Sequence, residues 1–296
     1  MTAYRESEPM VRDKSRKAGR AVTGDDSSTL KALLAPSSPQ SASSGTQSIE
    51  RAVRLLREVA LKGRFGWRLS DLASFCEIDK GTVHRVLACL VRERLVQQRA
   101  SDRHYVLGPL LYELGLSLPG HNAFPQACKD RLTKFAERMH GVVLLLLRSG
   151  NEYVCATRVG APILSEVLVH VGTRRLLFTS VGGVAMLQAM PESEARAVLA
   201  HNIGQEVAQR GDARLAALMQ VRDRSRSHGF GVNLGDVVPG LHTFAVPVRG
   251  HQGEVLASIC LMGSAEQFDA GRIAEIRTEL EAVALFVERV AAELMP

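Results

Sequence analysis

The chain has 296 residues, 46% of them hydrophobic and 23% charged, with a formal net charge of +6. That length suggests two domains, and the composition suits a globular protein with a buried core rather than a fibrous or disordered one. The longest apolar run, Val142 to Leu147, is far short of the roughly 20 residues that a membrane-spanning helix needs, and no apolar signal core opens the chain, so a cytoplasmic protein without membrane contact is expected.

Charge is unevenly spread. Residues 47–115 hold 12 Lys/Arg against 8 Asp/Glu, whereas residues 116–296 hold 18 of each. A short basic segment beside a neutral one is what a phosphate-facing module joined to a neutral domain requires. The five cysteines (Cys76, Cys89, Cys128, Cys155, Cys260) are scattered, without a C-x-x-C pair or a Cys/His cluster at ligand spacing. No metal and no cofactor are expected.

In chain order, residues 1–46 are polar, Ser-rich and without hydrophobic period, which predicts a disordered tail. Ile49, Ala52, Val53, Leu56 and Val59 repeat at helical spacing, predicting a helix over 48–62 that Gly63 stops. Ser70 is placed to cap a short second helix with Leu72, Ala73 and Phe75 or Cys76 turned inward. A third helix is predicted from Asp79 or Lys80 to about Glu93, with Asp79 as N-cap. Two short strands, Leu95–Gln98 and His104–Leu107, follow around a polar turn, Arg99 to Arg103. Helix, helix, tight turn, helix, hairpin is the order of a winged helix-turn-helix.

The third helix carries the most specific chemistry. Val83, Val86, Leu87 and Leu90 fall within about 100° of arc and must face the core. Gly81, Arg85, Ala88 and Arg92 then face out. Small side chains permit close approach to a major groove, and Arg85 has the two parallel donors that guanine O6 and N7 accept. Lys80 and Thr82, at the helix start, suit phosphate, with His84 flanking; Arg99, Arg103 and His104 at the hairpin tip suit the neighbouring phosphates. Read otherwise, these are only solvated charges on a helix face.

Beyond Gly108-Pro109, helices are predicted at Leu110–Leu116 and at about 125–139. Strands are then expected at Val142–Leu147, Tyr153–Arg158 and Ile163–His170, helices at 180–190, 192–201 and 212–227, and strands at 242–249 and 254–262 about the turn Gly250–Gly253. The last helix, about 267–294, has an apolar stripe from Ile273 to Leu294 that suits packing on a sheet, with a dimer seam as the lesser reading. The whole is an α+β chain.

Ser48-Ile-Glu-Arg-Ala-Val-Arg-Leu-Leu56, Leu69-Ser-Asp-Leu-Ala73, Lys80-Gly-Thr-Val-His-Arg-Val-Leu87 and Tyr105-Val-Leu-Gly-Pro109 resemble, in order and spacing, the IclR family of transcription regulators. His228-Gly-Phe-Gly-Val232, Asp236, Gly240, Phe244-Ala-Val-Pro-Val248 and the strand from Gly253 to Gly263 are similar to that family's effector-binding domain. The resemblance covers about residues 47–292. It implies a winged helix-turn-helix over 47–108, a linker helix over 109–123 and a GAF-like effector domain with an antiparallel sheet flanked by helices over 124–294. It also implies palindromic double-stranded operators, a small-molecule effector, and a homodimer or a tetramer made of two dimers. Gly81 stands where the family usually has Ser, and Thr243 where many members have Cys.

Ser180-Val-Gly-Gly-Val-Ala-Met186 resembles the family's helix opening beside the ligand, without the usual Lys. The effector-binding candidates are therefore Ser180, Gly182, Gly183, Met186, Asp236, Thr243 and Cys260. Ser180 with Gly182-Gly183 suits either a plain helix cap or a seat for a carboxylate. Asp236, Thr243 and Cys260 either add polar groups to an apolar pocket or are ordinary loop and strand residues. Arg174 and Arg175 either pair with an acidic ligand or, the commoner case, belong to an exposed loop or a dimer contact. No G-x-S-x-G, H-E-x-x-H or P-loop occurs and no catalytic residues declare themselves, so a regulator rather than an enzyme is expected, with a small organic or aromatic acid as effector. The rival class is a GAF-type enzyme whose helical head docks a protein; a winged-helix regulator without ligand control is a third reading.

Overall fold

The computed structural model describes residues 46–160 and 169–295. All of the predicted tail but Thr46 falls outside these residues, as does most of the predicted strand Ile163–His170; Val169 and His170 are not in a strand.

The head begins with α1, Gln47–Lys62, which buries Leu55 and Val59. Gly63, at φ 51°, stops it and its N–H returns to Ala60 O. Ile49 and Val53, expected to point into the core, are 64% and 44% exposed; α1 is apolar on two faces, and only one is covered by the head. The second helix, α2, is Leu69–Cys76 and buries Leu72, Ala73 and Cys76, leaving Phe75 exposed with its ring tilted at 42° against Trp67. Ser70 does not cap it. Arg68 occupies the N-cap position without a side-chain bond, and Ser70 Oγ donates instead to Asp71 Oδ1.

The third helix, α3, runs Lys80–Arg92, and Asp79 caps it by accepting from Thr82 N at 2.9 Å. Strands β1 (Val96–Gln98) and β2 (Tyr105–Leu107) pair antiparallel, and Trp67 bridges Tyr105 as a third, single-residue strand. Leu55, Val59, Trp67, Leu72, Val83, Leu87, Leu90, Val96 and Tyr105 form one small core.

Helix α4, Leu110–Leu116, leads to α5, Pro119–Met139. The latter starts six residues before the predicted Pro125, which lies inside it. Proline's fixed φ is helical, and only one hydrogen bond, back to exposed His121, is lost near the helix start. Helix α5 is thus continuous across the expected linker boundary at 123/124.

The second half is a six-stranded antiparallel sheet between two helical layers. Its strands are β3 (Val142–Ser149), β4 (Glu152–Val159), β5 (Arg174–Leu176), β6 (Gly231–Leu234), β7 (Leu241–Arg249) and β8 (Val255–Ser264), in the order β5-β4-β3-β8-β7-β6. Helices α6 (Val181–Ala189), α7 (Glu192–Arg210) and α8 (Leu215–His228) connect one sheet edge to the other. The C-terminal helix α9, Ile273–Leu294, packs with α5 on the opposite face and buries Ile276, Leu280, Val283, Val287 and Ala291. Its stripe packs on a sheet, as the period predicts. The helix starts six residues later than expected because Asp269 caps a separate 3₁₀ turn, Ala270–Arg272.

Strand alternation sorts the two faces. Phe244, Val246, Val248, Ile259 and Leu261 point to the α5/α9 layer. Ala245, Cys260 and Met262, with Tyr153 and Cys155 on β4, point to the α6 layer. Thr243 and Ser258 share that second face by register, opposite Met262 and Leu146 respectively. No described helix is long and apolar enough to cross a membrane.

Candidate nucleic-acid interface and effector pocket

The 13 residues of α3 make a rod about 20 Å long, with Val83 and Leu87 fully buried. Gly81, His84, Arg85, Ala88, Cys89 and Arg92 are exposed along the opposite side. Arg85 lies along its own helix and donates to Thr82 Oγ1 at 3.3 Å, a weak tether that a base edge can displace. Arg92 touches Cys89 Sγ and pairs with Glu93.

A cleft of about 440 Å³ lies between α3, the start of α2 and the wing formed by β1 and β2. Its lining includes Arg68, Ser70, Lys80, His84, Gln98 and Arg103. Three permanent cations facing one cleft suit a phosphodiester, whose oxygens accept from all of them. Arg103 stands at φ 60°, in the left-handed region, which turns the wing tip. His104 is drawn into the wing instead: its Nδ1 is 2.8 Å from Asp102 Oδ2, without hydrogen-bond alignment. Of the predicted contacts, the structure gathers Lys80, His84 and Arg103 in the cleft and ranges Gly81, Arg85 and Arg92 along the outer helix face. Thr82 is tied to Asp79 and Arg85, and His104 to the wing. Arg68, Ser70 and Gln98 were not legible as contacts, because only the fold brings them there.

The second site lies under the N-terminus of α6. Ser180 is its N-cap and accepts from Gly183 N at 3.1 Å. The Tyr153 hydroxyl interacts with Ser180; burial pushes the Tyr153 pKa up, so it stays neutral. Gly182 stands directly over the sheet, where a methyl group would collide with Cys260 Sγ and come within 2.9 Å of Ser258 Oγ. A methyl at Gly183 would collide with Leu177 O. Burial raises the Cys155 thiol to about 11 and the Cys260 thiol to about 12, so both are protonated, neutral groups near pH 7.

Ser258 is fully buried. The weakly polar Cys260 thiol interacts with it, but among the described residues none stands in hydrogen-bond geometry to its Oγ. A buried hydroxyl in that state costs about 1–3 kcal/mol. Met186 is fully buried in the same cluster. Thr243 is on the same sheet face, beside Asn233. Asp236, at the end of β6, is engaged by Arg224 and accepts from Leu234 N. The structure therefore brings Ser180, Gly182, Gly183 and Cys260 together, keeps Met186 and Thr243 on the same side, and ties Asp236 to Arg224. Arg174 is not in a loop but in β5, bonded to Ser149 and Glu152. Ser258 and Tyr153 escaped the sequence reading, although Ser258, two residues before Cys260 on one strand, must share its face.

A winged helix with an arginine-bearing outer face and a basic cleft, joined through helices to a sheet whose apolar inner face carries a few buried polar groups, defines a DNA-binding regulator with a sensor domain. Comparison with known families narrows this. The family model "Bacterial transcriptional regulator IclR C-terminal" matches residues 121–289, and "IclR helix-turn-helix domain" matches residues 48–100. The chain belongs to the IclR family of transcription regulators. It is 24% identical over 246 residues to the HTH-type transcriptional regulator XynR of Escherichia coli, covering 82% of this chain and 96% of that protein. It is 26% identical over 240 residues to the glycerol operon regulatory protein of Streptomyces coelicolor, covering 80% and 91%. The fold matches that of an IclR-family regulator from Brucella abortus with a TM-score of 0.66 at 19% identity, over 87% of this chain and 97% of that one. It also matches an IclR homologue from Microbacterium hydrocarbonoxydans, solved in complex with 4-hydroxybenzoate, with a TM-score of 0.59 at 19% identity over 82% and 98%.

Proposed function

We propose that this regulator binds palindromic operators as a homodimer or as two such dimers, and that a small organic or aromatic acid seated beneath α6 changes its operator affinity. The carrying observation is the orphan hydroxyl of Ser258, buried under a glycine at a helix N-terminus. A ligand oxygen there relieves that cost, and the free amides at the start of α6 suit a carboxylate. The neighbours Ser180, Tyr153 and Cys260 are neutral donors or acceptors, which suits a monoanion whose charge the helix end balances. The 4-hydroxybenzoate complex of the Microbacterium homologue supports the same class. The site acts by binding rather than by turnover, a reading supported by relatives that are named as regulators, within a cytoplasmic regulator whose head spans 47–108, linker 109–123 and sensor 124–294.

The dimer reading rests on the outer face of α1. Ile49, Ala52, Val53 and Leu56 line an apolar groove with Leu90 and Leu95, and Tyr112, Leu114, Leu116 and Leu118 continue exposed apolar surface along the linker. A second copy packed there would pair two heads, and dimeric helix-turn-helix proteins read half-sites one helical turn, about 34 Å, apart. The test is a fluorescence anisotropy titration of a duplex selected from random sequence by the purified protein. Saturating 4-hydroxybenzoate or a short aliphatic carboxylate shifts the operator Kd; a hundredfold difference corresponds to about 2.7 kcal/mol of unequal affinity for two states. If no carboxylate moves the Kd, the effector reading is wrong.

A further inference from the structure

Arg99 reads in sequence as a wing-tip cation beside Arg103. Its guanidinium turns the other way. Nη1 donates to Arg64 O at 2.7 Å, Nη2 to Phe65 O at 3.1 Å, and Nη2 and Nε grip both oxygens of Asp102 at 2.6 and 2.9 Å. Four of the five N–H donors a guanidinium offers are thereby used. The two carbonyls belong to the turn between α1 and α2, so one side chain ties that turn to the wing. Gly66 brings the two into contact: any side chain there would meet Val106, Tyr105 O and His104.

We infer that Arg99 is a positioning residue for DNA binding, a latch that holds the wing at the angle presenting Arg103 to a phosphate across the cleft from Lys80 and Arg68. Asp102 supports this by being otherwise out of place. It lines the basic cleft, where an isolated carboxylate repels phosphate, yet it is the acceptor that orients Arg99 and draws in His104. The same hydrogen bonds hold the Asp102 carboxyl well below the usual carboxylate range, so it is ionised throughout the neutral range. Arg99 and Asp102 cancel each other's charge, and the free positive charge of the tip is that of Arg103.

The latch makes a prediction whose sign opposes simple electrostatics. Removing a carboxylate from a DNA-facing cleft tightens binding if charge alone matters; here Asp102→Ala weakens it by about tenfold, comparable with the loss of one phosphate contact in Arg103→Ala. Arg99→Lys keeps the charge but cannot span two carbonyls and a carboxylate, so it behaves like Arg99→Ala. The double variant Asp102→Ala/Arg103→Ala, which breaks the latch without leaving a bare carboxylate in the cleft, binds no more weakly than Arg103→Ala alone, because the latch acts through that arginine. Anisotropy titrations of the full-length chain on the selected duplex read all five, with circular dichroism melts confirming the fold. If Arg99→Ala does not fold, Asp102→Ala and Arg99→Lys decide. Tighter or unchanged binding by Asp102→Ala, wild-type binding by Arg99→Lys, or additive losses in the double variant each overturn the inference.

Discussion

Replacing Ser258 by Ala removes one oxygen from a fully buried site and leaves the methylene packing intact. Most core substitutions destabilise; this one stabilises the ligand-free protein. The hydroxyl has lost its water and gained no aligned partner, and the contact with Cys260 recovers only part of the cost, so the lower end of the range, about 1 kcal/mol, applies. For a domain of this size that raises Tm by about 2–4 °C. The ligand response moves in the opposite direction. A bound carboxylate that stabilises the wild type by about 2.7 kcal/mol at a hundred times its Kd loses one hydrogen bond, about 1 kcal/mol, in Ser258→Ala. Differential scanning fluorimetry with and without 4-hydroxybenzoate reads both effects. A lower Tm for ligand-free Ser258→Ala, or an undiminished ligand shift in it, refutes the placing of the effector against Ser258.

Three further outcomes are expected. Lys80→Ala and Arg68→Ala each weaken binding to all duplexes alike and lower the slope of log Kobs against log salt by about one; an unchanged slope shows that the cleft does not hold phosphate. Val53→Asp, a charge set in the exposed α1 groove, yields monomers in sedimentation velocity, whereas an unchanged oligomer places the interface elsewhere. Gly182→Ala drives a methyl group into Cys260 and Leu146 and so pushes the start of α6 off the sheet, abolishing the ligand-induced Tm shift at a cost of about 1–3 kcal/mol in stability. A ligand response retained in Gly182→Ala contradicts the pocket's position.

The head was legible because its signals are local and agree with one another. The helical stripe of α3, Asp79 as its cap and the paired runs around Arg99–Arg103 all point to one fold. Periodicity does not distinguish a core from a partner's surface, which is why Ile49 and Val53 read as buried. Ser70 looked like a cap on residue type alone, yet the helix begins at Leu69. In the second half the short strands β5 and β6 lack the length that alternation needs, and β6 opens on Gly231, a residue that reads as a turn. The functional groups that escaped share one trait: their role depends on what is absent around them or on what arrives from afar. Ser258 matters because no described group meets its Oγ in hydrogen-bond geometry, and Arg99 because the α1–α2 turn comes to meet it.

The reading face of α3 is tested most directly by single-atom changes in the DNA. In a selected duplex, each guanine is replaced in turn by 7-deazaguanine, which removes the N7 acceptor, and binding is measured for wild type and Arg85→Ala. One position per half-site should cost the wild type about 1–3 kcal/mol and cost Arg85→Ala nothing more. If no guanine shows this coupling, or if Arg85→Ala binds like wild type, α3 does not read the major groove through Arg85.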